Sequence, residues 1–314
     1  MAMIYTLTPN PSVDRTATVR QIRFNTILRS NDLRLDWGGK GFNVSRSLKE
    51  FGENSLALGW VGGDVGRMLE HGLNKLGVQT DFNWVDGETR INTNAIEEGG
   101  EWYIKLNEPG PYIPPDAIES LLVKAESYAH HGDIWVLGGS LPPGVPDDFF
   151  ARLIKCLNAK GARVFFDTSG EPLRLGCVEG PFLVKPNAEE AESMVGFKIS
   201  NHEDGKRAVL PFLRMGIQHV ALTIGNKGML LATQQEMVWA APPKVPVINV
   251  TGAGDAATAG MVTAFNRNHT LTEIARWGVA AGTVSVMHAG VSELPIEEFK
   301  MMLGRIETRT LNFM

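Results

Sequence analysis

Residues 251–255, Thr-Gly-Ala-Gly-Asp, combine a glycine turn with a carboxylate, a combination typical of phosphoryl transfer. The turn lets Gly252, Ala253 and Gly254 direct backbone N–H groups outward at the start of an apolar helix, where the helix dipole attracts anions. Asp255 is then placed to accept the proton of an attacking hydroxyl group. The simpler alternative is that Asp255 only complements the N-terminus of the helix. This segment by itself leaves both interpretations open.

A second glycine-rich segment, residues 37–43 with the sequence WGGKGFN, precedes another helical pattern. Its glycines allow the backbone to approach a ligand closely, and Lys40 offers a positive charge to a phosphate group. The spacing of a nucleotide-binding P-loop is absent here and elsewhere in the sequence. As a lone glycine turn, this segment is weak evidence for a ligand.

Four further polar loops follow apolar segments, namely Asn10–Arg15, Gly138–Gly144, Lys185–Glu190 and Thr223–Gly228. Asp14 in the first loop can accept hydrogen bonds from sugar hydroxyls or simply belong to a turn after Asn-Pro. In the second, prolines fix an extended loop that either points Ser140 at a substrate or serves as a rigid turn. Asn187 and Glu190 have the spacing of a helix capping box and also suit Mg²⁺ held through water. The glycines of the last loop predict a hairpin turn. The functional alternative is that this loop covers the phosphates of a bound nucleotide.

The composition is that of a globular protein and narrows the classes of partner. The chain has 314 residues, 43% of them hydrophobic and 21% charged, with a net charge of −5. With no basic cluster, we expect neither nucleic acid nor a membrane as a partner. There is no apolar segment long enough to cross a bilayer, and the two cysteines have neither metal-ligand nor disulfide spacing. We therefore expect a cytoplasmic location.

Apolar segments alternate with helical patterns along most of the chain, which predicts a mostly parallel sheet with helices on both faces. The predicted strands are Ile4–Thr8, Leu56–Val61, Ile134–Gly138, Arg163–Asp167, Phe182–Lys185, His219–Ile224 and Val245–Val250. The predicted helices are Phe42–Phe51, Asp64–Leu76, Pro115–His130, Pro146–Lys160, Asn187–Val195, His202–Met215, Asp255–Asn266, Leu271–Met287 and Pro295–Thr308. Ligands of such sheets collect at the carboxyl ends of the strands, where the polar loops described above begin.

Two segments interrupt this alternation, and we expect them to form a small second sheet. Residues 12–36 are polar and alternating, and residues 90–106 predict a hairpin with its turn at 98–101. A small sheet with one apolar face is rarely stable alone. It is expected to cover the cleft as a lid and to pair with a second subunit.

The order of these loops resembles the PfkB (ribokinase-like) family of carbohydrate kinases, over most of the chain from Ile4 to Gly290. The most specific segments are Gly38–Asn43 and Thr251–Asp255. Five others are most similar to the group of 1-phosphofructokinases and tagatose-6-phosphate kinases, namely Asn10–Arg15, Leu106–Pro111, Ser140–Gly144, Asp167–Leu173 and Lys185–Asn187. The resemblance implies a ribokinase-like three-layer α/β/α sandwich with a β-sheet lid. It also implies one kinase domain over residues 1–314, with lid segments at about 12–36 and 90–106.

The resemblance assigns a role to each candidate side chain. It implies that Asp255 is the catalytic base and that residues 252–254 form the anion hole for the transferred phosphoryl group. The remaining assignments fall into three groups: Asp14, Gly39 and Asn43 for sugar hydroxyls, Lys40, Arg90 and Ser140 for the sugar phosphate, and Lys185, Asn187, Thr223, Gly225, Gly228 and Gly254 for ATP. Asn187 and Glu190 would hold Mg²⁺ through water.

The implied activity is an ATP- and Mg²⁺-dependent transfer to a ketohexose monophosphate, giving a bisphosphate. Fructose 1-phosphate is the expected acceptor, with tagatose 6-phosphate and fructose 6-phosphate as alternatives. A non-catalytic protein that binds sugar phosphate is a further alternative, although such a protein would be expected to lack Asp255 or the glycine turn. An ordinary aspartate, with a pKa of about 3.9, would suffice as the base if the hydroxyl becomes acidic late in the reaction. The family also implies a homodimer formed through the lid.

Overall fold

The computed structural model describes residues 2–99, 102–290 and 294–313. The strands are β1 (Ile4–Thr8), β2 (Ser12–Val19), β3 (Ser30–Gly38), β4 (Leu56–Val61), β5 (Gln79–Thr80), β6 (Asn83–Trp84), β7 (Arg90–Glu97), β8 (Tyr103–Leu106), β9 (Ile134–Gly138), β10 (Arg163–Asp167), β11 (Leu183–Val184), β12 (His219–Thr223), β13 (Met229–Ala232), β14 (Met237–Ala241) and β15 (Glu307–Leu311). The helices are α1 (Lys40–Glu50), α2 (Gly63–Lys75), α3 (Pro115–Tyr128), α4 (Phe149–Ala159), α5 (Gly170–Val178), α6 (Ala188–Val195), α7 (His202–Arg214), α8 (Ala253–Asn266), α9 (Leu271–Val286) and α10 (Ile296–Leu303).

The main sheet runs in the order β15-β14-β13-β12-β11-β10-β9-β1-β4-β5, with β6 also pairing β4. From β5 to β12 neighbouring strands are parallel, and from β12 to β15 they are antiparallel. Strands β1 and β9 are buried along their whole length, as their unbroken apolar sequences predict. The parallel strands end at the same edge of the sheet, so the polar loops that follow them meet there.

Helices cover both faces of this sheet, and the two largest hydrophobic cores lie on opposite sides of it. One core joins the sheet to α3, α4, α5, α6 and α7 around Trp135, Phe149 and Phe166. The other joins the opposite face to α1, α8, α9 and α10. Small residues let α8 and α9 approach closely, because a Cβ at Gly260 would lie 2.7 Å from the carbonyl oxygen of Trp277. The expected three-layer α/β/α arrangement is confirmed.

The second sheet, which we call the lid, has the strand order β3-β2-β7-β8. Strands β2 and β7 are parallel, whereas the other two pairs are antiparallel. It meets the main body where the Trp37 ring packs on α2, within 2.1 Å of the position a Cβ would take at Gly72. The predicted small sheet is thus confirmed. Two residues of the predicted turn at 98–101, Gly100 and Glu101, lie outside the described residues.

One predicted element near the C-terminus is wrong, and another is shorter than predicted. Residues 245–250 form an extended loop instead of a strand, with Ile248 and Val250 more than half exposed. Pro246 has no N–H for a sheet ladder, and the Ile248 N–H donates to Val286 O at 2.7 Å at the end of α9. The helix predicted over 295–308 ends at Leu303, and β15 follows it.

Strands β14 and β15 and helix α5 were not predicted. β15 is a mostly exposed edge strand with a polar sequence, so it lacks the apolar residues that would predict a buried strand. Within the described ranges, no helix is long and apolar enough to cross a membrane.

Candidate active site

The candidate base, Asp255, lies in the first turn of α8, directly after the glycine turn. Gly252 caps this helix with a left-handed φ of 84°, a conformation that glycine adopts without strain. N–H groups in the first turn of a helix have no partner within the helix, and that of Ala253 makes only a 3.4 Å contact with Val250 O. The turn therefore leaves backbone N–H groups available beside a carboxylate.

Asp255 is 7% exposed and accepts a 2.8 Å hydrogen bond from Asn43 Nδ2. Burial raises the pKa of Asp255 to about 6, and the nearby carboxylate of Asp167 adds to the rise, although Lys40 and the Asn43 hydrogen bond oppose it. This pKa lies above the value of about 3.9 that is ordinary for an aspartate. Loss of water around the carboxylate makes it a stronger base than the sequence suggested.

A buried ion-pair network lies next to Asp255. Asp167, at the end of β10, accepts a hydrogen bond from Lys40 Nζ at 2.6 Å through Oδ1, and its Oδ2 forms an ion pair with Lys185 Nζ at 2.8 Å. Burial acts to raise the pKa of Asp167, but the two ammonium groups outweigh it and lower that pKa to about 2. Burial likewise acts against the charge of Lys40, but Asp167 and Asp255 outweigh it and raise the lysine's pKa. Asp167 and Lys40 are therefore both charged at neutral pH.

The two lysines of this network lie on different elements of the site. Lys185 follows β11, and its Nζ is 3.2 Å from the position that a Cβ would take at Gly254 in the glycine turn. The Lys40 stem crosses the end of β9, where a Cβ at Gly138 would lie 3.3 Å from Lys40 Cβ. The structure therefore brings the candidate residues Lys40, Lys185 and Gly254 together around one aspartate.

Asp14, on β2 of the lid, is held by two neighbouring polar side chains. Its Oδ1 accepts from Ser12 Oγ at 2.7 Å and from Asn92 Nδ2 at 2.9 Å. A Cβ at Gly38 would lie 2.5 Å from Asp14 Oδ2, so the carboxylate lies against the strand that leads into α1. Gly39, with φ 133°, caps α1 at the same junction and is crowded by the Thr8 side chain, which leaves no room for a Cβ.

Arg90 and Ser140 meet at the loop after β1. Arg90 donates to the carbonyl oxygens of Asn10, at 2.9 Å, and Glu108, at 3.1 Å, while Asn10 Nδ2 lies 3.4 Å from Ser140 Oγ. Burial lowers the pKa of Arg90, and the carboxylates of Asp14 and Glu108 oppose this effect. The arginine therefore ties the lid to the main body as well as supplying charge.

Asn187 and Thr223 lie side by side at the ends of neighbouring strands. Asn187 and Glu190 form the predicted capping box of α6, with reciprocal 2.8 Å hydrogen bonds between side chain and backbone. The Thr223 N–H donates to Pro186 O at 3.0 Å, and a parallel bridge joins Asn187 to Thr223. Helix capping is therefore one confirmed role of Asn187.

The predicted hairpin turn after β12 is confirmed, with a short 3₁₀ turn at Gly225–Lys227. Gly225 and Gly228 both have positive φ. A Cβ at Gly228 would lie 2.1 Å from Ala240 O, so packing against β14 already requires glycine there. Lys227 donates to the Ser200 carbonyl oxygen, which directs its charge to the neighbouring loop.

The sequence reasoning missed Asp167, Asn10 and Asn92 as parts of this site. Asp167 had a usable signal, because it ends an apolar strand at the edge where the other polar groups collect. Asn10 and Asn92 act through contacts with Ser140 and Asp14 that no local pattern reveals.

Known proteins resemble this chain over nearly its full length. Residues 8–298 match the family model described as pfkB family carbohydrate kinase. A 1-phosphofructokinase of Bacillus subtilis is 35% identical over 96% of this chain and 97% of its own length. A tagatose-6-phosphate kinase of Staphylococcus epidermidis is 28% identical over 97% of this chain and 99% of its own. The crystal structure of phosphofructokinase-2 from Escherichia coli in complex with fructose-6-phosphate superposes with a TM-score of 0.89 at 28% identity, covering 97% of this chain and 99% of that one. The ribokinase-like fold, the glycine turn with its aspartate and these relatives agree, and the chain belongs to the PfkB family of carbohydrate kinases.

Proposed function

We propose that the protein transfers the γ-phosphoryl group of ATP to fructose 1-phosphate, giving fructose 1,6-bisphosphate. The observation that carries this proposal is the buried Asp255 carboxylate, held by Asn43 beside the N–H groups of the glycine turn. A protein that only binds an anion gains nothing from a carboxylate there, because the two negative charges repel. A kinase needs a base at that position.

In this mechanism, Asp255 accepts the proton of the attacking hydroxyl as the new bond to phosphorus forms. Asn43 fixes the orientation of the Asp255 carboxylate. Burial of that carboxylate raises the pKa of Asp255 to about 6, close to neutral pH, where a base is most effective. Residues 252–254 stabilise the transferred group through backbone N–H groups and the helix dipole. The Lys185 ammonium beside Gly254 adds a full positive charge at the same place. Most of the rate acceleration then comes from positioning and electrostatics.

The nucleotide is assigned to the loops after β11 and β12, through Lys185, Asn187, Thr223, Gly225 and Gly228. These residues lie at one edge of the sheet, and Asn187 bridges directly to Thr223. Asn187 and Glu190 fit Mg²⁺ held through water, since their side chains offer oxygen ligands. The Glu190 carboxylate also lies near enough to the site to raise the pKa of Lys40. When bound with ATP, Mg²⁺ neutralises charge on the phosphates.

The acceptor is assigned to the lid side of the site, through Asp14, Gly39, Lys40, Asn43, Arg90 and Ser140. Two cationic side chains, Lys40 and Arg90, favour an acceptor that already carries a phosphate. Fructose 1-phosphate is preferred because the Bacillus subtilis 1-phosphofructokinase is more similar to this chain than the tagatose-6-phosphate kinase is. Tagatose 6-phosphate is the second candidate.

A coupled ATP assay over fructose 1-phosphate, fructose 6-phosphate, tagatose 6-phosphate and free fructose tests this assignment. We expect the highest kcat/KM with fructose 1-phosphate and none above background for the Asp255→Asn variant. A clear preference for another phosphorylated ketohexose would change the acceptor but keep the kinase. If calorimetry shows that these sugars bind but ATP is not converted to ADP with any of them, the protein binds sugar phosphates without being a kinase.

We also infer that a second copy of this chain covers the lid. The strand register places Leu33, Ala17, Ala95 and Ile104 in one row, on the face opposite Asp14, and Leu106 lies in the next row on the same face. Leu33 is 56% and Leu106 63% exposed.

At its inner end, the same lid face packs on the main body through Val13, Trp37 and Ile91, so its outer part continues a buried apolar surface. Analytical ultracentrifugation should show a dimer, and Leu33→Glu should shift it towards monomer. A wild-type monomer at micromolar concentration would contradict this inference.

A further inference from the structure

We propose that Asp167 is a positioning residue of the reaction, a role that rests on the proposed kinase function. Its single carboxylate holds Lys40 towards the acceptor and Lys185 at the turn that receives the transferred phosphoryl group. Asp167 acts through the two lysines and takes no part in proton transfer.

The geometry divides the carboxylate between two partners. Oδ1 is 2.6 Å from Lys40 Nζ and Oδ2 is 2.8 Å from Lys185 Nζ, and the Asp167 side chain is 5% exposed. Lys185 is buried to the same degree, whereas Lys40 keeps 37% of its side chain exposed. One lysine is therefore fixed inside the site, and the other can still reach a ligand in the cleft.

The three residues come from separate elements that only the fold brings together. Asp167 ends β10, Lys185 follows the neighbouring β11, and Lys40 begins α1, with its side chain next to the end of β9. The Lys185 N–H also donates to Phe166 O at 2.9 Å, which fixes the two strand ends relative to each other. A lysine side chain is long and flexible, so its ammonium needs such an anchor to occupy one place.

Charge balance supports a functional role for this network. Without Asp167, two ammonium groups would lie close together and repel each other in a region of low dielectric constant. With it, the cluster keeps one net positive charge, which suits phosphate groups on both sides. Buried ion pairs contribute little to stability compared with apolar packing, because of their desolvation cost. The three charges are therefore better explained by the ligands that they orient.

A double-mutant cycle tests the proposal, with Asp167→Asn, Lys185→Met, Lys40→Met and the two double variants that include Asp167→Asn. We expect Asp167→Asn alone to lower kcat about 100-fold or more and to raise the KM for both substrates. In the Lys185→Met background the same change should lower kcat less than about 5-fold, because this part of its effect passes through Lys185. Its effect on the KM for the acceptor should persist in that background and disappear in Lys40→Met. Independent, multiplicative effects in both lysine backgrounds would overturn the proposal.

Asp133→Asn is the matched control, since Asp133 is also buried but accepts from the Met3 and His130 N–H groups at the opposite end of the sheet. We expect this change to lower the melting temperature without altering kcat or either KM. Equal losses of turnover in Asp133→Asn and Asp167→Asn would show a purely structural effect and overturn the proposal.

Two further measurements keep the proposal testable if Asp167→Asn folds poorly or if the acceptor has been misassigned. Asp167→Glu keeps the charge but moves it by one methylene group, and we expect lost turnover in a folded protein. Full turnover in that variant would overturn the positioning role. ATP binding can be measured by calorimetry without an acceptor. Asp167→Asn should weaken ATP binding at least 10-fold when it is the only change, but not when Lys185 is already replaced by Met. Absence of turnover on every sugar phosphate would count against the proposed function, whereas loss of this coupling in an active kinase would overturn the positioning role.

Discussion

Asn43 Nδ2 donates a 2.8 Å hydrogen bond to Asp255 Oδ2, joining two residues that are 212 positions apart in the sequence. Asn43 lies in the first turn of α1 and Asp255 in the first turn of α8. The two glycine-rich segments are therefore neighbours in the fold, and the candidate base is held between them. This contact makes Asp255 more than a residue that complements a helix end.

The base assignment predicts the effect of Asp255→Asn on turnover. Removing a general base typically costs about 10²–10⁴-fold, so we expect kcat to fall by several orders of magnitude. Binding of ATP and of the sugar phosphate should stay near normal, because the isosteric amide can still accept from Asn43. Steady-state kinetics together with calorimetry measure both effects. Retention of more than about a tenth of wild-type turnover would exclude Asp255 as the base.

The pH dependence of turnover should report the same group. Burial raises the pKa of Asp255 to about 6, and a base must be deprotonated to act. We therefore expect kcat/KM, which reports the free enzyme, to fall as the pH drops through about 6, with one proton taken up on the acidic side. An acidic limb near pH 4, as for an exposed aspartate, would contradict the effect of burial.

The same raised pKa predicts that Asp255 lowers stability at neutral pH. The folded protein holds the Asp255 proton more tightly than the unfolded chain does. The contribution of this proton to the free energy of unfolding is therefore complete below pH ~4 and is lost as the pH rises through about 6. Asp255→Asn should therefore stabilise the fold at pH 8, by on the order of 3 kcal/mol, with little gain at pH 4. Denaturant unfolding at both pH values measures the difference. An equal effect at the two pH values would rule out this linkage.

Removal of the two cations on the lid side should affect the acceptor more than the nucleotide. We expect Lys40→Ala and Arg90→Ala each to raise the KM for the sugar phosphate, with little change in the KM for ATP. Lys124→Ala is a suitable control, since Lys124 forms a comparable 2.9 Å ion pair with Asp81 away from the site. A raised KM for ATP alone would mean that the acceptor and nucleotide sites are exchanged.

Glu190 allows its capping role to be separated from a role in Mg²⁺ binding. Glu190→Gln keeps an oxygen acceptor for the Asn187 N–H but loses the negative charge, so stability should change by less than about 0.5 kcal/mol. The Mg²⁺ concentration needed for half-maximal turnover should rise. Glu190→Ala loses both functions and should also unfold more easily, by about 1 kcal/mol. An unchanged Mg²⁺ requirement in Glu190→Gln would leave capping as the role of this residue.

Local chemistry was readable from the sequence where a short pattern carries it. The glycine turn before Asp255, the capping box of Asn187 and the apolar strands β1 and β9 all appear where they were predicted. In each case neighbouring residues determine the structure, through backbone freedom, side-chain capping or burial on both faces. The strand predicted over 245–250 failed because Pro246 has no N–H for a sheet ladder and the Ile248 N–H donates to Val286 O at the end of α9.

The sequence by itself therefore determined the fold class, the position of the carboxylate and the glycine turn before it. Tertiary structure decided the rest, because the parallel sheet gathers distant strand ends at one edge. Only there do Lys40 and Lys185 share Asp167, and only burial shifts the pKa of Asp255 towards neutrality. Desolvation and long-range charge depend on what surrounds a side chain in space, which no local pattern records.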